Sequence, residues 1–169
     1  MCNLTRFPGN IEALSRSAIV FDALCSCGLS ESDQDRLWTM RAIQNMTSDS
    51  SCKQRIAGEP MIEIIRCSAM KIEKKDENEA AVAALANLCT DADSVLQLTN
   101  CKKILPSLIA IAHSSEFSPE VHFHACNAIS RVAVWLQKFA AATTVPDASS
   151  LAPLPTMIVK GHMRWDCVE

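Results

Sequence analysis

Three sets of residues in this 169-residue chain have the types and spacing to do chemistry. The first is His122-Phe123-His124-Ala125-Cys126, a concentrated run of metal-type ligands. On a helix His122 and Cys126 share a face and His124 points away. A structural zinc site needs about four ligands, so two on one face require help from elsewhere. The plainer reading is a helix with one polar and one packed histidine. The second set is Cys25-Ser26-Cys27, a C-x-C near an expected helix end. Without a partner motif it is a weak redox or metal signal. The third set is polar residues recurring in one apolar frame: Ala42-Ile43-Gln44-Asn45-Met46, Ala84-Leu85-Ala86-Asn87-Leu88 and Ala128-Ile129-Ser130-Arg131-Val132. An Asn side chain is both donor and acceptor, so Asn45 and Asn87 can satisfy the N–H and C=O of an extended chain. Arg131 and Arg41 can add charge-assisted bonds to carboxylates. The same Asn residues can instead cap or cross-link neighbouring helices.

The frame itself sets what must position these residues. From Ala42 to Ala84 is 42 residues, and from Ala84 to Ala128 is 44. A second motif recurs between them: Pro60-Met61-Ile62-Glu63-Ile64-Ile65 echoes Pro106-Ser107-Leu108-Ile109-Ala110-Ile111. Two unlike motifs in the same order indicate a helical repeat of about 40–47 residues. Proline suits a first helical position, where its missing N–H costs nothing. Ile43, Met46, Leu85, Leu88, Ile129 and Val132 are expected in the core.

The expected elements are helices throughout. They span about 11–27, 33–47, 51–57, 60–71, 76–89, 93–100, 102–113 and 119–142. Gly28 and Gly58 read as stops, and Ser32 or Asp33 as a cap. Ser118, Pro119 and Glu120 make a helix start. The run 71–79 (KIEKKDENE) reads as a solvated loop with helix ends. The repeats are expected over 11–142. Residues 143–169, with Pro146, Pro153 and Pro155, read as a linker or disordered tail on which Trp165 is the one candidate for docking.

Composition supports this division. Hydrophobic residues are 49% and charged residues 21%, and there is no Tyr and little Gly, which favours helices over strands. A net charge of −3 gives no basic footprint for nucleic acid. No apolar run reaches the length of a membrane span, and the N-terminus lacks a signal-peptide core. The nine cysteines (2, 25, 27, 52, 67, 89, 101, 126 and 167) include no C-x-x-C pair. They read as reduced thiols packed as small apolar residues in a cytoplasmic protein, with the nucleus as the secondary location. No nucleophile motif, phosphate loop or paired carboxylates occur, so no enzyme, cofactor or metal is expected.

At these residues the chain resembles the armadillo repeat family. Asn45 and Asn87 look like the Asn of its Ala-Leu-x-Asn motif on the third helix of each repeat, and Pro60 and Pro106 like the proline opening its second helix. The match covers about residues 11–140. It includes a divergent third helix at 128–132 and the last helix of a preceding repeat. The resemblance implies an all-α, right-handed superhelix of about three repeats whose third helices line a concave face. It places Arg41, Asn45, Asn87, Asn127 and Arg131 on that face, with Ala83 between Arg41 and Asn127. Import-type repeats carry Trp where this chain has Arg41, Ala83 and Asn127, so their tryptophan array is absent. The implied function is binding of a protein or peptide, acidic or polar in character. The alternative is a structural fragment of a larger helical-repeat protein or assembly, without a ligand groove of its own.

Overall fold

The computed structural model describes residues 2–143, and among these the regular structure is ten helices. They are α1 (Cys2–Thr5), α2 (Pro8–Ser15), α3 (Ala18–Gly28), α4 (Asp33–Met46), α5 (Ser50–Ala57), α6 (Met61–Ala69), α7 (Lys75–Leu88), α8 (Ala92–Asn100), α9 (Ile104–His113) and α10 (Pro119–Thr143). The expected tail lies outside the described residues apart from Thr143, as does Trp165.

Local chemistry explains most of the starts. Ser32 Oγ accepts the Asp35 N–H at 3.3 Å, and Asp49 and Asp91 cap α5 and α8 in the same manner. Ser118 Oγ accepts the Val121 N–H, leaving Pro119 in the first turn of α10. The proline assignments shift slightly. Pro60 is the residue before α6 and Pro106 the third of α9, both where a helix has no internal partner for an N–H.

One expectation is corrected. The single helix foreseen over 11–27 is two helices, because the chain turns at Arg16 and at Ser17, which is extended. The apolar spacing runs across that break, so periodicity alone could not reveal it. Gly28 ends α3 as expected, but not as a left-handed cap, since among the described residues no glycine has positive φ. It is buried within α3, and a Cβ there would sit 2.7 Å from Ile64 Cγ2. Glycine is present because α3 and α6 approach closely.

Packing follows the sequence period. α2 packs on α5 and α5 on α8; α3 packs on α6; α1 packs on α4, α4 on α7 and α7 on α10. Each of α4, α7 and α10 also packs on the helix preceding it. Among residues 2–138 the side-chain hydrogen bonds between distant parts of the chain share one span, from 37 residues (Lys53 to Thr90) to 45 (Arg131 to Ala86). Each group of helices therefore touches mainly its sequence neighbours.

α7 is the centre of this arrangement. Every residue from Ala80 to Ala86 is buried. A helix that is apolar all round is a core helix, and its five alanines over that stretch let α4, α6 and α10 come close. Ile43, Met46, Leu85, Leu88 and Val132 are buried as expected, while Ile129 is partly exposed. Each such side chain contributes about 1.5–3 kcal/mol through burial.

Candidate functional site

The helices bearing the repeated motif, α4, α7 and α10, place the five candidate residues. Arg41 is half-exposed, with its guanidinium 5.3 Å from the Trp38 ring centroid and 4.0 Å from the Asp76 carboxylate. Asn127 is half-buried on α10. At the corresponding place on α7, Ala83 is only 3% exposed. Arg41 and Asn127 are thus separated by a level at which α7 offers no side chain.

Asn45, Asn87 and Arg131 share a different role, which the structure makes explicit. Asn87 Nδ2 donates to the Gln44 carbonyl and to Thr47 Oγ1, each at 3.3 Å. Arg131 Nη1 donates to the Ala86 carbonyl at 2.7 Å. Gln44 and Ala86 precede the motif Asn by one residue. Their carbonyls lie in the last turn of α4 and α7, where the chain's next N–H groups turn to other acceptors: Ser48 to Asn45 and Thr90 to Asn87. At Ala86 the side chain from the next helix supplies the donor, and at Gln44 it joins the Thr47 and Ser48 hydroxyls, which donate at 2.9 and 3.3 Å. Asn45 repeats the pattern one step earlier, donating to Thr5 Oγ1 at 3.2 Å. The three residues form a ladder from α1 through α4 and α7 to α10. Both Asn residues are half-exposed, and neither Oδ1 accepts a bond from another described residue. Their donor side is engaged within the stack and their acceptor side remains.

The ladder stops at α10. Ser130 occupies the place of Gln44 and Ala86, but α10 continues to Thr143, so that carbonyl is in mid-helix with a backbone N–H four residues on.

The charged run 71–79 is not simply solvated. Glu77 is 2% exposed and receives Arg36 Nε at 3.3 Å and Lys71 Nζ at 2.9 Å. Lys74 reaches Asp33 across the same junction. Neighbouring Asn78 is also buried, and its Oδ1 has no partner. Spacing could not expose this, because Arg36 and Glu77 are one repeat apart.

The other candidate chemistry takes ordinary forms. His122 directs both ring nitrogens at backbone carbonyls, Nδ1 to Ser118 at 2.9 Å and Nε2 to Ser114 at 2.6 Å. His124 lies against the Phe123 ring at 5.6 Å. Among the described residues no group of three or more His, Cys, Asp or Glu is arranged to hold a metal. Burial raises the thiols of Cys25 and Cys52, and pushes Cys89 up to about 12 despite nearby Arg131. A thiol so placed stays protonated at neutral pH.

Three residues bearing on the site were not singled out by pattern: Thr90, Trp135 and Lys138. They surround Arg131 in a cleft between the end of α7 and the middle of α10. Lys138 Nζ stands 4.5 Å from the centroid of Trp135. Their signal was available in the spacing of 131, 135 and 138, which share a helix face. No helix is long and apolar enough to cross a membrane among the described residues. No family model, curated protein or solved structure matches the chain.

Proposed function

We propose that this chain is an armadillo-like module, a right-handed superhelix of about three repeats that binds an extended peptide segment along the surface formed by α4, α7 and α10. The supporting observation is the one-repeat span of the long-range hydrogen bonds, together with like-on-like packing of the helices. Stacked units of this kind leave a long surface rather than one deep pocket. In this reading Asn45 and Asn87 accept main-chain N–H groups through Oδ1. They do not also donate freely, because the amide N–H groups hold neighbouring helices. Trp38 and Arg41 are the exposed contacts at one end, and Asn127 and Arg131 those at the other. The role is binding, not catalysis, in the cytoplasm or nucleus, without a cofactor.

The test is selection of peptides from a displayed random library, followed by titration on wild type and a Trp38→Ala, Arg41→Glu variant. Trp38 is exposed and Arg41 half-exposed, so the variant should keep wild-type helicity and melting temperature. Peptides that compete with one another and bind the variant at least tenfold more weakly support the groove. Failure to select any, or equal affinity for the variant, overturns it.

A second reading has its own observation. Apolar side chains are exposed at both ends of the stack: Ile19 (80%) and Leu29 (71%) on one, Phe123 (65%) and Val134 (49%) on the other. Exposed apolar surface of this kind marks contact sites. It favours a structural unit whose ends pack within a larger assembly. Concentration-dependent melting with a growing mass in light scattering is its signature.

A further inference from the structure

The cleft under α10 differs from its counterparts in charge. It has a volume of about 330 Å³ and is lined by Thr90, Arg131, Val134, Trp135 and Lys138, with the buried Cys89 among them. It therefore holds two cations and no carboxylate. Three other clefts are mixed. One sets Asp33, Glu73, Asp76 and Glu77 against Lys74 and Lys75; another sets Glu59 and Glu63 against Lys102 and Lys103. A third combines Arg36 and Lys71 with Glu63. Among the described residues neither Arg131 nor Lys138 forms an ion pair.

The two cations are also held in place. Arg131 uses one N–H on the Ala86 carbonyl, which fixes the guanidinium and leaves four of its five donors. That bond covers the carbonyl end of α7, which would otherwise repel an anion. Lys138 rests on Trp135, and Trp135 stacks on Phe139 at 5.9 Å with the planes 26° apart. The result is a fork and an ammonium flanking a half-buried indole.

We propose that this cleft binds an acidic peptide segment, with a carboxylate between Arg131 and Lys138 and an adjoining apolar side chain against Trp135 and Val134. The proposal rests on the binding-module reading and names the chemistry of the partner at one end of the surface. A peptide fits better than nucleic acid. Two cations in one small cleft suit one or two carboxylates, whereas a phosphate backbone is met by an extended basic surface, for which a net charge of −3 gives no footprint.

The experiment is fluorescence anisotropy on the full chain. The probes are a labelled nonapeptide of three Glu-Gly-Leu units, its counterpart with Gln for Glu, and a labelled uridine 9-mer. The Glu peptide is expected to bind, to weaken with added salt, and to exceed the Gln peptide by at least about tenfold, the factor lost with one charge-assisted bond. Lys138→Glu and Trp135→Ala should each lower its affinity by about the same factor. Lys138 is exposed, so Lys138→Glu should melt as wild type does. No binding of the Glu peptide, equal binding of Glu and Gln peptides, an unchanged affinity in Lys138→Glu, or tighter binding of the uridine 9-mer each overturns the proposal. Library-selected peptides separate this from the broader reading. If they lose affinity in the Trp38/Arg41 variant but not in Lys138→Glu, the acidic anchor is wrong and the groove stands.

Discussion

Between α4 and α7 the fastening is polar. The buried Glu77 is clasped by Arg36 and Lys71, Lys74 meets Asp33, and Asn87 bonds Gln44 and Thr47. Between α7 and α10 the place of Glu77 is taken by Val121, which is 1% exposed, and the polar link is Arg131 to Ala86. Both junctions bring the same helix faces together, and both satisfy the same last-turn carbonyl. They differ in what closes them. The first uses its charges inside the joint. The second closes apolar surface and leaves its charges, Arg131 and Lys138, facing outward. An interface can thus keep its geometry while the polar chemistry moves from holding the stack to presenting a surface.

The sharpest way to break this comparison is at Glu77 and Val121. Glu77→Ala removes the buried carboxylate from Arg36 and Lys71 and should cost about 3 kcal/mol, the low end for a broken buried pair, because Arg36 keeps Asp33 and Lys71 can reach water. Val121→Ala loses two methyl groups from a packed site and should cost about 2 kcal/mol. Urea unfolding at constant slope measures both. The reverse order would show that the polar clasp is not what secures the first junction.

Next in size is Gly28. Gly28→Ala presses a methyl group onto Ile64 Cγ2 and should cost about 1–3 kcal/mol, with partial recovery in a Gly28→Ala, Ile64→Leu double variant, which lacks the γ2 branch. An additive double variant would mean the close approach is not the cause.

At the shared carbonyl, Arg131→Met and Asn87→Leu should each cost about 1–2 kcal/mol, and Arg131→Lys should recover part of the first loss. If Arg131→Met leaves the melting temperature unchanged, the ladder does not extend to α10.

The smallest effect is on acid stability. The Ser51 hydroxyl, followed by the Ser51 backbone N–H, holds Asp49 below its ordinary value of 3.8. A folded value depressed in this way contributes stability above the ordinary value that is lost as pH falls through the folded one. Asp49→Asn should therefore flatten the stability–pH curve in that acid window and leave its shape near neutrality unchanged. Identical acid slopes in the two proteins would show that this cap carries no linked proton.

The repeat, its period and most helix positions were legible because apolar residues at helical spacing have few alternatives to a shared core. Ala84, Leu85 and Leu88 needed no tertiary information. The division of 11–27 into α2 and α3 was not legible, since the break at Arg16 and Ser17 carries neither Gly nor Pro. Asn45, Asn87 and Arg131 were recognised as equivalent, but their sequence left two roles open. A side chain's partner one repeat away depends on how helices are offset, which spacing within one helix does not encode.

The sequence by itself determined that this chain forms helices, that they recur every 42–44 residues, and which faces are apolar, because these follow from local propensity and period. Tertiary structure alone decided that Glu77 is buried, that the motif amides hold neighbouring helices together, and that Arg131, Trp135 and Lys138 line one cleft with Thr90. Each of these depends on groups about a repeat apart being brought together, which is fixed only when the helices pack.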